Sequence, residues 1–118
     1  MMRGVRHLQL MIPEDLIRYF PDSEITVSGW LPESRELTLS IEKEIGPESG
    51  ALTFTGVTYM AITVAFTAGS ARISSPAEAR RILPLEGMAA DGVVFVLEDI
   101  EGVNNVIVAE SLSHRRAA

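Results

Sequence analysis

Apolar and polar residues alternate along most of this chain, and the clearest case is the run from Ala51 to Gly69, ALTFTGVTYMAITVAFTAG, which carries no charge. Leu52, Phe54, Met60, Ile62, Val64 and Phe66 share one parity, while Thr and Ala dominate the other. A period of two is the signature of a strand whose faces differ. The run approaches the length of a membrane span, but a spanning helix has no reason to obey period two. Its five Thr and two Gly weaken it further as such a helix. Strands usually run about 3–10 residues, so a 19-residue one would be very long. Gly56 and Thr58 break the apolar parity and predict a bulge or bend. One bent strand or two consecutive ones are expected. The small Thr/Ala face has three possible destinations: packing within the chain, contact with another chain, or the lining of a cavity.

The same alternation marks ELTLSIEKEI (Glu36–Ile45), with Leu37, Leu39, Ile41 and Ile45 on one side and acids on the other. Gly46-Pro47-Glu48-Ser49-Gly50 then predicts a hairpin into the next strand. Further strands are predicted at Val5–Ile12, at Ile25–Leu31, at Val93–Ile100 and from Val106 to Leu112. The start of Val93–Ile100 is apolar at every position, which implies burial on both faces. Glu101-Gly102 or Asn104-Asn105 supplies the turn of this second hairpin.

Helices are predicted at only two places. Pro13, Glu14 and Asp15 favour a short helix stopped by Pro21. Ser75 followed by Glu78 is a capping box with Pro76 at the first helical position, and Pro84 ends about two turns placed over one end of the sheet system. The connections between strands are mostly too short for parallel crossovers. The fold class that follows is mainly β with minor helix. We expect an antiparallel sandwich or partly closed barrel of six to seven strands, in one domain over residues 1–118.

Composition narrows the chemistry. The chain of 118 residues is long enough to bury its own core. It has no cysteine, which removes disulfides, thiolate nucleophiles and Cys-containing zinc sites and fits a cytoplasmic location. The N-terminal apolar patch is interrupted by Gln9 and lacks an A-x-A cleavage site, so it reads as a strand rather than a signal peptide. A net charge of −6 opposes binding to phosphate backbones and allows a basic partner. The one basic cluster, His114-Arg115-Arg116, reads as a frayed tail.

Catalytic and metal motifs are absent from the sequence. There is no GxSxG elbow, HExxH, calcium loop or phosphate-cradling glycine loop. No catalytic residue, metal ligand or cofactor is assigned, and His7 reads as a surface histidine. The candidate binding residues are Trp30, Tyr59, Glu98, Asp99 and Glu101. Glu98, Asp99 and Glu101 cluster near a turn, with Glu110 expected opposite. Gathered carboxylates could raise one another's pKa, hold a cation or meet a basic protein, though solvated acids are the ordinary case. The parity of Trp30 matches Thr26 and Ser28 and puts it on the polar face, unless a bulge at Gly29 turns it inward. Tyr59 lies on the Thr-rich face. Two functional classes remain. One is a non-enzymatic protein-binding or self-associating module, with toxin neutralisation as one analogy and no nucleic-acid or membrane partner. The other is a small-molecule site in a Thr-lined β-barrel pocket, with an enzyme as one form of it.

Overall fold

The computed structural model describes residues 16, 20–43, 49–84 and 92–116. Among these residues there are eight strands: β1 (Ser23–Leu31), β2 (Glu36–Lys43), β3 (Ser49–Thr55), β4 (Tyr59–Ala61), β5 (Ala65–Ile73), β6 (Val93–Asp99), β7 (Asn104–Ala109) and β8 (Ser111–Arg116). One short helix, α1 (Pro76–Ile82), lies between β5 and β6. The predicted strand Val5–Ile12 lies outside the described residues, as does most of the predicted helix after Pro13. Of that helix, Phe20 donates its N–H to the Leu16 carbonyl at 2.8 Å, and both side chains are fully buried.

All pairings are antiparallel, and the strands form one sheet in the order β4-β7-β6-β5-β1-β2-β3-β8. The sheet is not closed. Its two ends nevertheless belong to one bent ribbon, because β4 follows β3 after only Gly56–Thr58 and β8 follows β7 after only Glu110. Thr53 lies opposite Ser113 in one half of the ribbon, and Met60 lies opposite Ile107 in the other. The Glu110 N–H to Thr55 bond and the Thr58 N–H to Val108 bond carry the ribbon across the bend. The sheet therefore curls round a common interior as a partly closed barrel.

The alternating residues fill that interior. Ile25, Leu37, Leu39, Ile41, Leu52, Phe54, Phe66, Phe95, Leu97 and Ile107 are buried in one cluster. Phe54 and Phe95 meet edge to face, with ring centroids 5.3 Å apart. Each such side chain contributes about 1.5–3 kcal/mol on burial, so the interior is the main source of stability. β6 is indeed covered on both sides. Phe95 and Leu97 face the interior, while Val94 joins Val106, Val108, Tyr59, Ala79, Ile82 and Leu83 in a second cluster under α1. The helix thus covers the outer face of β4, β7 and β6. Its cap is the predicted one, with Ser75 Oγ accepting the Glu78 N–H at 3.2 Å and Pro76 at the helix start.

Two expectations are revised. The uncharged run makes three strands, β3, β4 and β5, because Gly56 has φ +71° and the chain turns again at Ile62–Val64. The basic tail is not frayed over its described length. Residues 111–116 pair with β3, where His114 lies opposite Leu52 and Leu112 opposite Phe54. Opposite residues share a face, so Leu112 packs on the core and holds a strand whose other residues are polar.

Candidate functional site

Trp30 is aimed by a bulge. The β1–β2 register shifts between Val27 and Gly29, so Gly29 lies opposite Thr38 and Trp30 opposite Leu37. Leu37 is 1% exposed, so Trp30 faces the interior side and not the polar face that strict alternation assigns. It sits at the rim of that interior with 36% of its surface still exposed.

Trp30, Val57, Thr58, Tyr59 and Met60 line one cleft of about 220 Å³. Two of the residues singled out in the sequence, Trp30 and Tyr59, are thereby brought together. Their wall is fixed by backbone bonds: the Val57 N–H reaches the Arg35 carbonyl at 2.9 Å, and the Thr58 N–H reaches Val108 at 2.8 Å. Val57 is buried, although its parity placed it on the Thr/Ala face, because the positive φ of Gly56 resets the alternation.

Trp30 lies past the point where β1 and the chain before β5 part. β1 and β5 are paired only over Glu24–Thr26, and one further bond joins the Val27 N–H to the Val64 carbonyl at 2.8 Å. Beyond it, among the described residues, Ser28–Leu31 is paired on the β2 side alone. The other wall runs to β4, whose only neighbour among the described strands is β7. Asn105 holds the intervening segment. It is buried, its Oδ1 accepts the Thr63 N–H at 2.7 Å, and its Nδ2 donates to the Leu97 carbonyl at 3.1 Å.

The acidic candidates separate. Asp99 and Glu101 border a second cleft of about 300 Å³ with Thr63, Ala65, Phe66, Thr67 and Ile100. One Asp99 carboxylate oxygen caps the turn, accepting N–H groups from Glu101 and Val103 at 2.9 Å each. Glu98 is on the other side of the strand and accepts from Arg72 Nη1 at 3.0 Å. Arg72 also bonds Glu78 of the helix, which ties α1 to β5 and β6. The Glu78 hydrogen bond holds the Arg72 guanidinium above its usual range against partial burial. The same bond, opposed by burial, holds the Glu78 carboxyl below the usual carboxylate range. Glu110 does not oppose this group. Glu98 lies across from Asn104 and Val93 across from Ala109, so Glu110 follows the far end of the hairpin, where it lies 3.6 Å from Arg35.

Among the described residues there is no group of three or more His, Asp or Glu placed to hold a metal ion. No helix among them is long and apolar enough to cross a membrane. His7 lies outside the described residues. The Thr/Ala parity faces outward, with Thr55, Ala61, Thr63 and Ala65 exposed, and part of it lines the second cleft. Sequence reasoning missed Val57, Met60, Arg72 and Asn105. A lone Arg in the apolar-rich segment ahead of a capping-box Glu was the one signal available for Arg72. Comparison with family models, curated proteins and solved structures finds no match to this chain.

Proposed function

We propose that the protein is a non-enzymatic binding module whose contact centre is the Trp30 cleft. The observation that carries this reading is the bulge that turns Trp30 to the rim beside Val57, Tyr59 and Met60. Tryptophan and tyrosine in a partly desolvated pocket are the side chains that concentrate binding energy at protein interfaces. The cleft of about 220 Å³ admits one or two side chains. Small-molecule sites commonly occupy about 300–1,000 Å³, so a side chain of a protein partner fits this one better. The acidic surface favours a basic protein, with toxin neutralisation as one such role by analogy, in a cytoplasmic setting and without nucleic-acid or membrane partners. Self-association is the competing form of the same module.

The small-molecule reading has its own observation, the more polar cleft of about 300 Å³ bordered by Thr63, Thr67, Asp99 and Glu101. A Thr-lined β-barrel pocket of that kind would suit a small polar ligand.

The test is selection of random displayed peptides on the whole chain, with Trp30→Ala as counter-target. Recovery of peptides that lose affinity on Trp30→Ala is expected. Recovery only of peptides indifferent to that change, or of none, removes the reading.

A further inference from the structure

Resting on the binding-module reading, we infer that the partner is an extended, cationic segment of another protein. It adds to the edge of β1 at Ser28–Leu31 that has no strand neighbour among the described residues, and it places one bulky apolar side chain in the Trp30 cleft.

The edge provides the backbone half of the argument. Beyond the Val27–Val64 bond, the described part of β1 has a strand neighbour on one side only. Unpaired strand edges present alternating N–H and C=O groups that an incoming strand can satisfy. A Cβ built on Gly29 would meet no atom of the described residues within 4 Å, so the side-chain face beside this edge is also uncovered among them. Long exposed edges are usually blunted by charges, Pro, bulges or a covering element, and here the bulge at Ser28 and the following Pro32 limit the free edge to a short stretch. Ser28-Gly29-Trp30-Leu31 carries no charge, and Leu31 is 56% exposed.

The cleft provides the side-chain half. It borders the same stretch of strand through Trp30, so a residue of an added strand and the pocket lie within one another's reach. Val64, 70% exposed, extends the apolar surface on the side where the two walls separate.

Charge selects the occupant. Glu36 lies opposite Leu31, and Glu33 is exposed in the adjoining turn. Arg35, the cation of that turn, is engaged with Glu110. A second copy would bring another net charge of −6 to this acidic tip, and like charges at an interface oppose association. A segment rich in Lys or Arg meets the tip favourably.

The experiment takes the Trp30-dependent peptides from the selection, each about eight residues long, the usual length of a strand. Expected are an excess of Lys and Arg around one bulky apolar residue and slowed amide exchange at Ser28–Leu31. Backbone N-methylation at alternate positions should weaken binding about tenfold, the equivalent of losing one good hydrogen bond. Leu31→Lys, a change at an exposed side chain, should weaken the same peptides by about tenfold through charge and lost contact. Trp30-dependent peptides that leave those amides unprotected, tolerate N-methylation or carry no excess of Lys and Arg overturn strand addition and leave the binding module standing. A dimer that persists in about 0.5 M salt, where screening acts within about 4 Å, and that Leu31→Lys dissolves makes a second copy the occupant and also overturns it. Absence of any Trp30-dependent peptide removes the module and this inference together.

Discussion

Trp30 lies directly across β1 and β2 from Leu37, a fully buried residue, because the chain inserts one extra residue between Val27 and Gly29. The bulge therefore decides which side of the sheet the tryptophan serves. Deleting Ser28 should remove the bulge and leave Trp30 opposite Leu37 on the interior side, because the strand then alternates regularly from Val27 through Gly29 to Trp30. The expected readout is tryptophan emission at the parent's wavelength, since Trp30 is the sole tryptophan. A red shift on that deletion would mean that the pairing with Leu37 is not what holds the ring on the interior side. Truncation by Trp30→Ala should lower stability by about 1–2 kcal/mol, less than for a fully buried tryptophan.

Asn105 joins two otherwise separate pieces of backbone. Replacing it with Leu leaves the Thr63 N–H and the Leu97 carbonyl without their partners. A loss of about 2–3 kcal/mol in urea unfolding is expected, because each abandoned polar group carries its own desolvation penalty. Asn105→Asp keeps the acceptor for Thr63 and should free the Leu97 carbonyl alone. Faster amide exchange at Thr63 in the Leu variant but not the Asp variant is the distinguishing measurement.

Gly56 meets two separate demands. Its φ is +71°, and a Cβ there would lie 2.6 Å from Glu110 Cδ. Gly56→Ala should destabilise by about 1–3 kcal/mol through strain and crowding. Adding Glu110→Ala should recover the crowding part, since that side chain is exposed, and leave the backbone part. Complete recovery in the double variant would show that φ carries no penalty.

The Arg72–Glu78 contact predicts an acid-sensitive docking of α1. The folded-state pKa of Glu78 lies below the ordinary 4.5. Its contribution is therefore fully present above that ordinary value and is lost as pH falls through the lower, folded one. Glu78→Gln should be less stable than the parent at neutral pH, and the gap should shrink below about pH 4.5. Thermal melts of both proteins across pH 3–7 measure it; a gap independent of pH would assign the effect to the lost cap geometry.

Strong alternation made β2, β3 and the cores of β6 and β7 readable, because a half-buried strand writes its burial directly into its residues. The capping box made α1 readable for the same reason: Ser75 and Glu78 act on each other locally. What could not be read depends on partners distant in sequence. β8 is polar at most positions and exists because β3 offers it an edge. Val57 was assigned to the wrong face because one positive φ inverts parity, whereas Trp30 follows the alternative that a bulge at Gly29 offered to strict alternation. Placing Trp30 and Tyr59 in one cleft required the bend of the ribbon. Separating Glu98 from Asp99 required only strand alternation, but Arg72, which bonds Glu98, belongs to another strand.

The ribbon of β3–β4 against β7–β8 also governs how the protein can come into being. Thr53 finds its partner Ser113 about sixty positions further along the chain, so this seam closes only after the intervening strands have been made. Contacts of such range must overcome a large loop-closure entropy before they return any stabilisation. During synthesis on the ribosome, β3 waits with its apolar interior face and one bare edge uncovered until β8 emerges. Any truncation that removes β8 would make that waiting state permanent and turn the bare edge of β3 into a template for aggregation.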